Sequence, residues 1–148
     1  MFWDINLLYS IPFSINQKEC QTDLGLKNRA IPDAQLSASS QLDRDHVASQ
    51  GRLDYEGELW KASAWSSGIV DQSQWLQIDL RSLFVTVTGV ATQGRSGWRR
   101  NWQWVTHYML QFCDDGENFT FFKELGQSQA KVIRFFLFCF VLVYFTDM

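Results

Sequence analysis

Residues 95–103 combine large aromatic rings with cations in one short segment, which is the most suggestive binding chemistry in the sequence. These rings and cations are those of Trp98, Trp102, Arg95, Arg99 and Arg100. Such a loop can insert its rings into a partner while its guanidinium groups hold anions. Burying both rings would gain on the order of 10 kcal/mol before any ordering cost. The alternative is that the rings fold back over the scaffold, with the arginines stacked on them.

The segment 43–58 carries the opposite charge. Five carboxylates stand there against two guanidinium groups, a local charge of −3. Like charge beside an anionic membrane would offset the attraction from the arginines, so the mixed surface suits a sugar or a basic protein. The candidate ligand contacts here are Asp43, Arg44, His46 and Trp60. A solvated His and a half-buried Trp are the ordinary states of the last two.

Catalytic and metal chemistry find little support in the residue pattern. Ser96 lies in Gly-Arg-Ser-Gly, which is not the nucleophile elbow of a hydrolase. Cys113 and His107 would lie about 20 Å apart along a strand, beyond hydrogen-bond reach. His46 and His107 are far apart in the sequence and have no Cys or His at ligand spacing. We therefore expect no enzyme activity, no cofactor and no metal site.

The elements that would position these loops have the periodicity of strands. Leu76, Ile78 and Leu80 alternate with polar residues over 75–80, so residues 75–80 are predicted as one strand. Residues 85–93 are predicted as a second strand, in which Gly89 indicates a bulge or a close approach of another backbone. Residues 104–112 are predicted as a third strand. The Asp-Asp-Gly sequence after it favours a tight turn, so this strand should form a hairpin with residues 119–122. Because no convincing helical stripe accompanies them, the predicted class is all-β, an antiparallel sandwich or barrel.

Composition limits the partners and the compartment. The 148 residues suffice for one domain, and 23 of them are Phe, Trp or Tyr. A net charge of −3 argues against a nucleic-acid partner. The first residues lack the cationic start of a signal peptide, so no such peptide is visible. Near the other end, the uninterrupted apolar run 135–145 is too short for a spanning helix and favours a strand.

The order of short motifs resembles that of discoidin domains, also called coagulation factor 5/8 type C domains. The motifs are Leu24-Gly25-Leu26, Ile31-Pro32-Asp33, Ser37-Ala38-Ser39-Ser40, Gly51-Arg52-Leu53, Ala64-Trp65, Trp75-Leu76-Gln77-Ile78-Asp79-Leu80, Thr88-Gly89-Val90-Ala91-Thr92-Gln93-Gly94-Arg95, Trp104-Val105-Thr106 and Asp114-Asp115-Gly116. The resemblance covers residues 20–131 as the domain. It leaves 1–19 as an N-terminal extension and 132–148 as an apolar tail.

The resemblance implies a jelly-roll β-sandwich, galactose-binding-domain-like, in a non-catalytic extracellular or cell-surface adhesion module. Its loops, here 41–50, 55–64 and 95–103, would bind carbohydrate or a matrix or cell-surface protein. The alternative is peripheral binding to anionic phospholipid through Trp98 and Trp102 with the three arginines. The expected core comprises Trp65, Trp75, Leu76, Ile78, Trp104 and Tyr108. Arg52 and Asp79 are expected to be structural, pairing across the sheet, and Asn118 is a glycosylation candidate in Asn118-Phe119-Thr120.

The chain departs from the family pattern after about residue 131, so the expected sandwich is incomplete at its C-terminal end. In the family the first cysteine bonds one near the closing strands, and Cys20 lacks that partner here. Cys139 could replace it only if the tail returned to the first strand. Because open sheet edges pair readily, residues 132–145 are predicted to dock as a replacement strand. The alternative is a truncated product that folds poorly.

Overall fold

Short β-strands make up most of the regular structure in the computed structural model. It describes residues 2–10, 22–55, 57, 62–80, 86–95, 103–134 and 143–144. The strands are β1 (Phe2–Ser10), β2 (Thr22–Asp23), β3 (Leu36–Ala38), β4 (Trp65–Ser66), β5 (Leu76–Ile78), β6 (Thr86–Gln93), β7 (His107–Met109), β8 (Gln111–Phe112), β9 (Thr120–Phe121), β10 (Val132–Arg134) and β11 (Val143–Tyr144). Within these residues, helix is confined to two 3-10 turns, Asp33–Gln35 and Ala48–Gln50. The predicted all-β class is therefore confirmed.

Internal contacts divide the chain into two units. One comprises Met1–Trp104 and Phe140–Met148, and the other Val105–Cys139. No helix in the described ranges has the length and apolar character needed to cross a bilayer.

The first unit contains a five-stranded sheet built around β1. This strand pairs antiparallel with β6 from Asp4 opposite Gln93 to Ser10 opposite Thr86. It also pairs with β2 and β4, while β11 pairs with β6. Strand β1 thus lies within the N-terminal extension, which the sequence analysis had placed outside the domain.

Of the two features expected at Gly89, the structure shows a bulge in β6, next to this glycine. Leu8 of β1 lies opposite Gly89, whereas the next residue, Tyr9, lies opposite Val87. Thr88 is therefore the extra residue of the bulged strand. The observed bounds of β6 also match the predicted strand 85–93 to within one residue.

A ribbon of β3 and β5 accompanies this sheet. Leu36 pairs with Ile78, and Ser37 with Gln77. Leu36 is buried and Ser37 is exposed, so the ribbon has an inner and an outer face. The predicted strand 75–80 is confirmed over β5, although its Leu76 and Ile78 are only half-buried.

Trp75 departs from the expected core, since 48% of it is exposed. It precedes β5 and, by strand alternation, shares the side of Gln77 rather than that of Leu76 and Ile78. That side is the outer face of the ribbon, because Gln77 pairs with exposed Ser37. Trp75 is therefore a surface ring, and its assignment to the core is wrong.

Trp65 has no exposed surface and is the largest fully buried side chain of the described residues. Its companions in this core include Leu26, Ile31, Leu36, Ala64 and Val90. Trp104, also expected in the core, is half-buried. The loops of this unit are therefore supported by a core that includes a fully enclosed indole.

The second unit holds two antiparallel strand pairs. β7 pairs with β10, and β8 pairs with β9. The second pair confirms the hairpin predicted around Asp-Asp-Gly. The predicted strand 104–112 is observed as two shorter strands, β7 and β8, which Leu110 separates, and residues 104–106 precede β7.

Parts of the apolar tail do pair with strands, as predicted. β10 lies against β7, and β11 lies against β6 with Val143 opposite Val90. Residues 135–142 between them lie outside the described residues, as do Cys20 and Cys139. Cys113 is half-buried and has a free thiol.

Candidate binding surface

A buried arginine secures the frame on which the loops rest. Arg52 is 1% exposed, and its Nη1 donates a 2.6 Å hydrogen bond to the carbonyl oxygen of Leu26. Its Nη2 donates a second, also 2.6 Å, to Oδ1 of Asp33. The carboxylate that binds Arg52 is therefore that of Asp33, whereas the sequence analysis paired it with Asp79. The guanidinium ties the end of loop 41–50 to two earlier turns of the chain.

Hydrogen bonds tie the start of loop 41–50 to the segment after β4. The indole Nε1 of Trp65 donates to the carbonyl oxygen of Ser40 at 2.9 Å. The backbone N–H of Leu42 donates to the carbonyl oxygen of Ser66 at 2.8 Å, and that of Gly68 donates to Oγ of Ser40 at 3.0 Å. Two loops that are distant in sequence are thus held side by side.

Gly68 allows this close approach of the two backbones. A Cβ at position 68 would lie 2.4 Å from the carbonyl oxygen of Gln41, a distance that real Cβ atoms essentially never show. Only a residue without a side chain fits there unless the backbone moves. The position of the loop that follows β4 therefore depends on the absence of a side chain at residue 68.

Three aliphatic side chains project from these joined loops, and we name them the apolar tip: Leu42, Ile69 and Val70. Val70 is 98% exposed, and the other two are more than half exposed. Ile69 and Val70 are not among the binding residues predicted from the sequence. The sequence feature that could have indicated these exposed residues is an Ile-Val pair between Gly68 and Asp71, in a segment that is otherwise typical of a polar turn.

Charged groups adjoin the apolar tip. Oδ1 of Asp43 lies 2.7 Å from Nδ1 of His46 and accepts a 2.8 Å hydrogen bond from the backbone N–H of Asp45. The hydrogen bond with the His46 ring, followed by that from Asp45, holds the pKa of the Asp43 carboxyl below its ordinary value. The structure thus brings Asp43 and His46 together, as an internal pair.

Arg44 and Asp71 are the other charged residues next to the apolar tip. The side chain of Arg44 is almost fully exposed, with Nε 3.9 Å from the Asp45 carboxylate. Hydrogen bonds from the side chain of Gln74 and the backbone of Ser73 lower the pKa of the Asp71 carboxyl. Arg44 therefore keeps the freedom to meet a ligand, and Asp71 stays ionised next to Val70.

The third predicted loop has a well-defined stem. The backbone N–H of Arg95 donates to the carbonyl oxygen of Gln103 at 2.8 Å, closing an antiparallel bridge. A Cβ on Gly94 would lie 2.9 Å from Cβ of Trp104, so this stem also depends on a glycine. The other candidates of this loop lie outside the described residues: Trp98, Arg99, Arg100 and Trp102. Trp60, a candidate of loop 55–64, also lies outside them.

Trp75, whose ring is exposed, is connected through its backbone to the same loops by two serines. Its backbone N–H donates to Oγ of Ser39 at 3.0 Å. Ser39 and Ser40 both donate from their hydroxyls to Oε1 of Gln74. Ser40 in turn accepts the Trp65 hydrogen bond, so Trp75 belongs to the network that supports the apolar tip.

Comparisons with known proteins identify the family. The model of the F5/8 type C domain matches residues 35–138. The human EGF-like repeat and discoidin I-like domain-containing protein 3 is 39% identical over 121 residues, 78% of this chain and 24% of that protein. Mouse lactadherin is 37% identical over 117 residues, 75% of this chain and 24% of that protein. Pig coagulation factor VIII is 33% identical over 114 residues, 75% of this chain and 5% of that protein.

The chain thus spans a quarter or less of the length of these relatives. No solved structure matches it. The family match at residues 35–138 includes Arg52, Trp65 and the apolar tip. The chain belongs to the F5/8 type C, or discoidin, domain family.

Proposed function

We propose that this chain is a non-catalytic, extracellular recognition module that binds a matrix or cell-surface protein, or a carbohydrate, through its apolar tip and the adjoining loops. The scaffold would be the jelly-roll sandwich of the family. The observation that carries the proposal is the nearly complete exposure of Val70 on loops that hydrogen bonds hold in place. Rigidly presented apolar groups lose little entropy on binding, so their burial contributes to affinity.

The charges around the apolar tip favour a protein partner over an anionic membrane. Asp43, Asp45 and Asp71 outnumber the one guanidinium of Arg44 in this part of the described surface. Each charge near an anionic lipid surface contributes about 1 kcal/mol, and here most contributions are repulsive. A partner with an apolar patch and a cationic rim is complementary to this surface.

The exposed Trp75 supports the carbohydrate option. Flat sugar faces pack on aromatic rings, while nearby hydroxyl and amide groups fix their orientation. Ser39 and Gln74 supply such groups within one hydrogen-bond network. The ring lies on the outer face of the β3 and β5 ribbon, and Ser39 is exposed too.

Peripheral binding to anionic phospholipid is the second candidate, because exposed aliphatic groups can also enter a bilayer. It would rely on Trp98 and Trp102 as wedges, with the cations of residues 95–100. Sedimentation with anionic vesicles over a salt series separates the two. The membrane function requires vesicle binding that weakens with salt and is lost in the double variant Trp98→Ala, Trp102→Ala.

An array of glycans and matrix proteins tests the main proposal with a matched pair of variants. Val70→Ser removes the aliphatic group of the apolar tip, and Leu125→Ser removes one that is 91% exposed on the other unit. Burying a Val side chain is worth about 1.5 kcal/mol or more, so Val70→Ser should weaken binding about tenfold. Equal binding by both variants, or no binding by the native chain, would contradict the proposal.

A further inference from the structure

A turn between β8 and β9 is organised around one carboxylate. Asp115 accepts hydrogen bonds through Oδ1 from the backbone N–H of Glu117 at 2.9 Å and from that of Asn118 at 2.8 Å. Its Oδ2 also accepts from the side-chain Nδ2 of Asn118. We name residues 113–119 the Asn118 turn.

The end of the Asn118 turn and the first residue of β9 present the tripeptide Asn118-Phe119-Thr120 to solvent. All three residues are exposed. Asn118 precedes β9, so its side chain is not part of the paired strand. The 148-residue sequence contains this Asn-X-Ser/Thr tripeptide once, and the middle position is not proline.

An open hollow of about 200 Å³ lies beside the same asparagine. Its lining includes Asn118, Thr120 and the half-exposed ring of Phe112. Phe119 exposes a further ring on the same turn. The surface next to the Asn118 amide is therefore open, partly apolar and able to accommodate a bulky group.

We propose that Asn118 is the attachment site of an N-linked oligosaccharide. In the transfer, the carboxamide nitrogen of Asn118 forms a bond to the anomeric carbon of a polyprenyl-diphosphate-linked oligosaccharide. The bond from that carbon to the diphosphate oxygen breaks, the polyprenyl diphosphate leaves, and the amide proton passes to a base of the transferase. The Thr120 hydroxyl is the feature of the acceptor that the transferase requires.

The hydrogen bond between Asn118 and Asp115 is the contact that the transfer must break. Both side chains are exposed, so water can replace the lost bond at small cost. The carboxylate keeps its two backbone donors, which preserve the turn while the amide is released. The folded hairpin is thus compatible with a modified Asn118.

A glycan at this position has a consequence for recognition. Its first sugars would start beside the exposed rings of Phe112 and Phe119, which they would shield from other proteins. The hairpin would then be unavailable to partners, whereas the apolar tip and Trp75 belong to the other unit and would stay accessible. Like the proposed function, this modification requires the chain to enter the secretory pathway.

The test uses the full chain expressed behind a cleavable secretory leader in eukaryotic cells. Both the medium and the cell lysate are analysed, so retention in the cell cannot hide a glycan. Treatment with an amidase that releases N-glycans should increase the mobility of the chain by one glycan and convert Asn118 to Asp, as seen by mass spectrometry. Asn118→Gln and Thr120→Ala should abolish the mobility change.

Thr120→Ser is the matched control, because it keeps the hydroxyl while changing the same strand residue. It should retain the glycan, whereas Thr120→Ala should lose it. The proposal would be overturned if the chain carried no glycan in either the medium or the cell lysate. It would also be overturned if the glycan persisted in the Asn118→Gln variant. Failure of the ligand array would leave these results intact, so the two proposals can fail separately.

Discussion

Replacing Arg52 with alanine should destabilise the first unit by about 4 kcal/mol. The guanidinium is 1% exposed and donates two hydrogen bonds of 2.6 Å, to Leu26 and to Asp33. Hydrogen bonds of a charged group contribute about 1.5 to 3 kcal/mol each, and truncation leaves the Leu26 carbonyl without this donor. The expected loss is a large fraction of the stability of a typical domain.

Asp33→Asn is the informative comparison. The Asp33 side chain is about half exposed, and an asparagine oxygen can still accept from Arg52. Its replacement should therefore cost only about 1 kcal/mol. Arg52→Lys should fall between the two, since a single ammonium group cannot reproduce the fork of the guanidinium.

Urea unfolding followed by tryptophan fluorescence measures these differences. All seven tryptophans lie between residues 3 and 104, so the signal reports on the first unit. With a slope of about 2 kcal/mol per molar urea, Arg52→Ala should lower the midpoint by about 2 M and Asp33→Asn by about 0.5 M. A loss below about 1 kcal/mol for Arg52→Ala, or equal losses for both variants, would refute the structural role assigned to this arginine.

Three further changes probe the supports of the two units. Trp65→Phe removes the hydrogen bond to Ser40 and part of a fully buried ring, so urea unfolding should show a loss of about 2 kcal/mol; an unchanged midpoint would contradict this. Gly94→Ala would place a Cβ 2.9 Å from that of Trp104 and should cost about 1 to 3 kcal/mol in the same measurement, whereas a stabilised variant would exclude the close approach. Hydrogen bonds from backbone N–H groups lower the pKa of Asp115 to about 2. This carboxylate therefore stabilises its turn above about pH 4, and the contribution should fade as pH falls towards 2, which amide NMR shifts would follow; shifts that change only near neutral pH would contradict it.

Local patterns in the sequence predicted the strands well. Alternation identified β5 and β6, and the single glycine in a Val and Thr run marked the place where β6 is bulged. The Asp-Asp-Gly turn identified the β8 and β9 hairpin. These features depend on residues that are close in sequence, so periodicity and turn chemistry suffice to find them.

Contacts between distant segments were harder to predict. The partner of Arg52 is Asp33, which no local pattern distinguishes from Asp79. The pairing of β1 with β6 likewise joins the two ends of a long stretch of chain. Strand alternation places Trp75 on the same side of β5 as Gln77. Whether other parts of the chain cover that side depends on packing between distant segments, which alternation does not reveal.

On the candidate surface, too, residues that are recognisable from nearby sequence were predicted, whereas residues whose exposure depends on distant segments were not. Asp43, Arg44 and His46 were candidates because they lie in an acidic segment that matches a family loop, and their role in binding stays a prediction. Ile69 and Val70 were missed, because their exposure results from hydrogen bonds between residues 40–42 and 65–68. An aliphatic pair in a turn is informative only once the buried core is known.

The most direct test of the central claim is a backbone amide NMR titration of the chain with the ligand retained on the array. The proposed function predicts that the largest shift changes fall on residues 41–46 and 68–71, around the apolar tip. Changes confined to the hairpin of β8 and β9, with residues 68–71 unaffected, would contradict it.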